Sequence, residues 1–110
     1  MGVSTSPAVT ADPGVYEFLK LHGAEAAFQT VCELVREVYP EARAIQANVF
    51  EDWDVPGWMR VRVAFLLPEP LPVDDHVQRN QTFAARIVEK LPPALRELFS
   101  IGEEYPPETP

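Results

Sequence analysis

The chain predicts an α+β domain: a small two- or three-stranded antiparallel sheet with two main helices packed on one face, in the order α-β-β-α-α with a candidate C-terminal β-strand. Three observations predict it. Residues 59–67 alternate apolar and polar side chains before turning wholly apolar, the pattern of a strand with one buried face and one wet, Arg-bearing face. Two stretches, 24–38 and 74–91, repeat apolar residues at helical spacing. Twelve prolines against five glycines cluster at the ends of these periodic segments, where a fixed φ and a missing N–H stop an element. With 110 residues, 46% of them hydrophobic, the chain suits one core and is too short for two comfortable ones.

Taken in order, residues 1–11 read as a flexible arm, 12–105 as a single α+β domain, and 106–110 as a disordered tail. Asp12-Pro13 is a helix start, because Asp suits a cap and Pro the first turn. A short helix then carries Val15, Phe18 and Leu19 up to Gly23. From Ala24, the residues Ala27, Phe28, Val31, Leu34, Val35 and Val38 fall on one stripe, with Glu25, Gln29, Glu33 and Glu37 opposite. Tyr39-Pro40 ends this helix, since the residue before proline is pushed out of the helical region.

The first strand is expected at Ala44–Glu51 and the second behind residues 51–58. Their face patterns select one register: Val49 opposite Val61, Ala47 opposite Val63 and Ile45 opposite Phe65, with Asn48 beside Arg62 and Phe50 beside Arg60 on the other face. A slip of one residue mixes the two sets. Pro68, Pro70 and Pro72 make a stiff connector, and Asp74-Asp75 opens the next helix with acids suited to its dipole. Its apolar stripe reads Val77, Ala84, Ile87, Val88 and Leu91. Pro92-Pro93 begins a last short helix, and Ser100 to Tyr105 alternates Ile101, Glu103 and Tyr105 as the candidate third strand.

The net charge of −8 repels phosphate backbones, so nucleic acid is not an expected partner. Arg60 and Arg62, near aromatic residues on a sheet face, do not offset it. The element order resembles the class II KH arrangement, in order alone; where a GxxG clamp belongs, the chain reads Glu89-Lys90-Leu91-Pro92-Pro93-Ala94. No apolar run reaches the length of a membrane span, so no membrane partner is expected. A single cysteine, Cys32, forms no intrachain disulfide and fits a reducing cytoplasm, the expected location.

Residues 51–58, Glu-Asp-Trp-Asp-Val-Pro-Gly-Trp, are the strongest site candidate. Two tryptophans in an acidic loop must pack on their own core or on a partner. Asp52-x-Asp54 lacks the spacing of a calcium loop, and two histidines with one cysteine make a poor zinc set, so no metal and no cofactor is expected. No GxSxG and no glycine-rich phosphate loop occurs. The leading expectation is a noncatalytic protein-interaction domain. It self-associates, or binds a protein partner, through a sheet edge and the acidic loop, with Asp52, Trp53, Asp54, Trp58, Arg60 and Arg62 as partner-binding residues. One variant is an acidic, antitoxin-like inhibitor of a basic partner. The competing class is an enzyme or small-ligand binder, with Asp52, Asp54, Arg60, Arg62 and His76 around a pocket near the hairpin loop.

Overall fold

The computed structural model describes residues 8–105; the first seven residues of the expected arm, and the expected tail at 106–110, lie outside the described residues. The elements run β1 (Ala8–Ala11), α1 (Pro13–His22), α2 (Glu25–Val38), β2 (Ala44–Glu51), β3 (Met59–Leu66), α3 (Val73–Lys90), α4 (Pro93–Arg96) and β4 (Phe99–Glu104). The class is α+β. The sheet corrects the expectation of two or three antiparallel strands: it has four, it is mixed, and its order is β1-β2-β3-β4.

The central hairpin has the register that the face pattern selects, with Ile45 opposite Phe65, Ala47 opposite Val63 and Val49 opposite Val61. Ala8–Ala11, expected within the flexible arm, instead pairs parallel with β2, and Asp12 N–H continues the pairing by donating to Ala47 O at 3.2 Å. β4 pairs parallel with β3, from Val61 opposite Phe99 to Leu66 opposite Glu104. Both strands of the hairpin are therefore covered, and the free edges of the sheet belong to β1 and β4.

One face of the sheet holds the core. Ile45, Ala47, Val61, Val63, Phe65 and Phe99 are buried there beneath the helices. Gln46, Asn48, Arg62, Gly102 and Glu104 stand exposed on the other face. This one-sidedness runs against the usual handedness of crossovers. The crossovers β1 to β2 and β3 to β4 step the same way across the sheet, but β2 and β3 are antiparallel. Two right-handed crossovers in that arrangement put their helices on opposite faces. Here α2 and α3 pack together over the same residues, so one of the two connections has the rare left hand.

The helices follow from local signals. Pro13 opens α1, and Gly23 closes it with a left-handed φ of 62°, a conformation that penalises a Cβ. Ala24 N–H then donates to Leu19 O at 2.8 Å, which caps the helix and turns the chain into α2. α2 buries Ala27, Phe28, Val31, Cys32, Leu34 and Val35. Phe28 stacks on Phe99 at 6.4 Å between ring centroids, and Tyr39, just past the helix, lies against Phe65 at 4.4 Å.

α3 corrects a second expectation. Of its expected apolar stripe, Leu91 is buried and Ile87 half-buried, but Val77, Ala84 and Val88 are exposed. The helix is rotated so that Phe83, which lies outside that stripe, enters the core near Tyr39. Two ion pairs accompany this rotation. Arg79 Nη1 reaches Glu41 Oε1 at 2.6 Å, and Arg86 Nη1 reaches Glu37 Oε1 at 2.9 Å. No helix among the described residues is long and apolar enough to cross a membrane.

Candidate functional site

The acidic loop is built by its own carboxylates. Asp52 N–H donates to Trp58 O at 2.9 Å and Trp58 N–H to Val55 O at 3.0 Å, closing the hairpin end. Asp52 Oδ1 accepts from Asp54 N–H at 2.8 Å, and Glu51 Oε2 accepts from Gly57 N–H at 3.1 Å. Gly57 supplies the left-handed φ of 84° that the turn needs. Side-chain oxygens thus satisfy amides that would otherwise rely on water, and the loop holds one shape.

The two tryptophans part company. Trp58 is half-buried, with the Arg60 guanidinium 5.1 Å from its ring centroid. Trp53 is 94% exposed at the tip, with Val55 exposed beside it. Arg60 is committed within the fold: Nε donates to Glu97 O at 2.9 Å, Nη2 to Phe99 O at 2.9 Å and Nη1 to Asp52 Oδ2 at 3.4 Å. It pins the hairpin end to the start of β4. Arg62 lies apart on the uncovered face and pairs with Glu104 at 3.4 Å, both side chains about half exposed. Such an exposed pair adds at most about 1 kcal/mol.

Of the six residues expected to bind a partner, Asp52, Trp58 and Arg60 come together as the base of the loop, Trp53 and Asp54 project from it, and Arg62 stands away. The five polar groups of the enzyme reading do not converge. His76 lies on the helix-covered side, where its Nδ1 meets Glu103 Oε1 at 2.8 Å.

That pair belongs to a network which local sequence signals do not disclose. The other ring nitrogen of His76, Nε2, lies 3.4 Å from Asn80 Nδ2. Asn80 Oδ1 accepts from the Tyr39 hydroxyl at 3.3 Å, and the Tyr105 hydroxyl donates to Glu103 Oε2 at 2.9 Å. Burial, followed by the hydrogen bond to Glu103, pushes the Tyr105 phenol up to about 12. Burial also raises Tyr39, with the Glu103 charge adding to it and Arg79 opposing. Both phenols are therefore neutral donors at neutral pH. Tyr39, Asn80 and Glu103 line a cavity of about 210 Å³ together with Phe65 and Phe83. Spacing pairs residues only within each element, His76 with Asn80 one helical turn apart and Glu103 with Tyr105 on one strand side, and does not join the two elements.

A larger cavity of about 400 Å³ lies between α1, α2 and β1, lined by Val9, Tyr16, Phe28, Cys32 and Arg36 among others. It offers no nucleophile. Burial pushes the Cys32 thiol up to about 11, so it stays protonated. Among the described residues, no group of three or more His, Cys, Asp and Glu side chains is placed to hold a metal ion. No protein-family model, curated protein or solved structure matches the chain.

Proposed function

We propose that the protein is a noncatalytic protein-interaction module whose anchor is Trp53. The observation that carries this reading is a tryptophan 94% exposed at the tip of a loop that is tied by its own hydrogen bonds. A tryptophan buries roughly 200 Å² when it enters a pocket, and little ordering entropy is lost when its loop is already held. Interface hot spots are enriched in tryptophan for this reason. Glu51, Asp52 and Asp54 surround the anchor with negative charge on a chain of net −8. The matching partner is a protein surface with an apolar slot and a basic rim, and charge steering makes its capture salt-sensitive.

The test is quantitative co-purification from the native host with tagged wild-type and Trp53→Ala proteins, cross-linked before lysis and washed at low and high salt. The expected result is a basic partner held by wild-type, released by salt, and lost from Trp53→Ala, whose thermal unfolding matches wild-type. Truncation of a central anchor costs about 2 kcal/mol or more, about a thirtyfold loss of affinity. A partner retained equally by Trp53→Ala rejects the anchor, and a partner indifferent to salt rejects the electrostatic half of the reading.

A further inference from the structure

The helix layer and the sheet are unfinished on the same side. Around α3, the row carrying Arg79 and Arg86 reaches Glu41 and Glu37 beside α2. The row carrying His76 and Asn80 reaches β4, where His76 meets Glu103 and Asn80 shares a cavity with Ile101. Val73, Val77, Ala84 and Val88 follow on the far side of that second row, by the 3.6-residue turn. They point past the β4 edge and are exposed, Val73 by 76%, Val88 by 58% and Val77 by 47%. The polar residues among them, Asn80 and Gln81, are uncharged, although the chain carries 17 acids and 9 bases. Depletion of charge over an apolar patch marks the centre of an interface.

The strand below has its own vacancy. Val61 N–H donates to Leu98 O at 2.7 Å, and Leu67 N–H donates to Glu104 O at 2.9 Å. In a parallel pair these bonds turn the main-chain groups of alternate residues, Ser100, Gly102 and Glu104, towards β3. Phe99, Ile101 and Glu103 therefore direct theirs at the free edge of the sheet, where Phe99 O already accepts one bond, from Arg60 Nη2 at 2.9 Å. Ile101 is the middle of that outward row.

We infer that the β4 edge and the α3 stripe form one surface that binds a second copy of this chain about a twofold axis at Ile101. β4 pairs antiparallel with its counterpart, Ile101 opposite the partner's Ile101 and Phe99 opposite the partner's Glu103. This register uses the outward groups of all three residues, the Phe99 carbonyl through the lone pair that Arg60 leaves, keeps the two Glu103 carboxylates off each other, and makes one eight-stranded sheet. The helix layer fits the same axis. α3 lies over the β3–β4 pair, since its Asn80 and Phe83 line a cavity with Phe65 and Ile101. Its distance from the axis is then about one strand spacing, roughly 4.8 Å. Doubling gives about 10 Å between the two α3 helices, at the separation of packed helices. The twofold runs them antiparallel, with Ala84 near the crossing and Val77 facing the partner's Val88. The edge is closed before Phe99 by α4. A six-residue copy of itself fits this site.

Light scattering coupled to gel filtration, from micromolar to millimolar protein, tests the inference on wild-type, Val77→Lys/Val88→Lys and Trp53→Ala. The expected result is twice the chain mass for wild-type and for Trp53→Ala, and the single-chain mass for the double variant with an unchanged circular dichroism spectrum. Both valines are exposed, so their replacement leaves the monomer folded. A wild-type monomer at every concentration overturns the inference, including the case in which a different protein protects the β4 edge. A dimer that survives Val77→Lys/Val88→Lys, or one that Trp53→Ala abolishes, overturns it as well. The anchor role of Trp53 is decided separately by the co-purification.

Discussion

α2 and α3 are both amphipathic, lie side by side and are laced by the same kind of ion pair, but the fold covers them very differently. α2 has 14 residues and buries six; α3 has 18 and buries only Phe83. The difference is one of position. α2 has α1 on one flank and α3 on the other, above the middle of the sheet. α3 has a helix on one flank only, and on the other the sheet stops at β4. An amphipathic pattern therefore says that a helix has an apolar side, while its neighbours decide how much of that side is covered.

The largest effect that can break this comparison is a matched pair of charge insertions. Val31→Asp in α2 places an unpaired carboxylate at a fully buried position and should leave the domain unfolded. Val88→Asp in α3, measured at high dilution, should change unfolding free energy by no more than about 0.5 kcal/mol. Equal losses in denaturant titrations mean that the two helices are covered alike. Next in size is Phe83→Ala, which removes the one α3 side chain in the core and should cost about 3–5 kcal/mol. A cost comparable to that of an exposed position moves Phe83 out of the core and returns α3 to the rotation its valines suggest.

The smallest effect concerns the seam between the helices. The hydrogen bond from Arg79 holds the Glu41 carboxyl below its ordinary 4.5. The folded state thus takes up that proton less readily than the unfolded chain. The resulting stability is present above the ordinary value and is lost as pH falls through the lower, folded one. Glu41→Gln should flatten this acid limb in a plot of melting temperature against pH from about 6 downwards. The pair is partly exposed, so the change is small. An acid limb identical to wild-type removes this ion pair from the seam.

Much of the centre of the molecule was legible from the chain. The hairpin register followed from keeping Ile45, Ala47, Val61, Val63 and Phe65 on one face, because any slip exposes several of them at once. The stripe of α2 was legible for the same reason. β1 was not: four residues, Ala-Val-Thr-Ala, carry little alternation, and their parallel partner lies far along the chain. The rotation of α3 was hidden because valines mark an apolar side whether or not anything covers it. By the helical turn, Asn80 separates His76 and Phe83 from Val77 and Val88. In the acidic loop, composition named both tryptophans but held no means of telling Trp58, seated on Arg60, from Trp53, left outside. The His76–Glu103 network joins residues from separate elements through a parallel crossover, so no local pattern could announce it.

The uncovered side of α3 and the free edge of β4 are held to be one self-complementary surface, and backbone hydrogen exchange reads that edge residue by residue. Amide exchange of Ile101 and Glu103, followed by NMR in dilute and concentrated wild-type protein, is the most direct measurement. Slowing of these two amides with concentration, while exposed loop amides such as that of Trp53 exchange unchanged, is the result expected. Exchange at Ile101 and Glu103 that is as fast in concentrated as in dilute solution contradicts it.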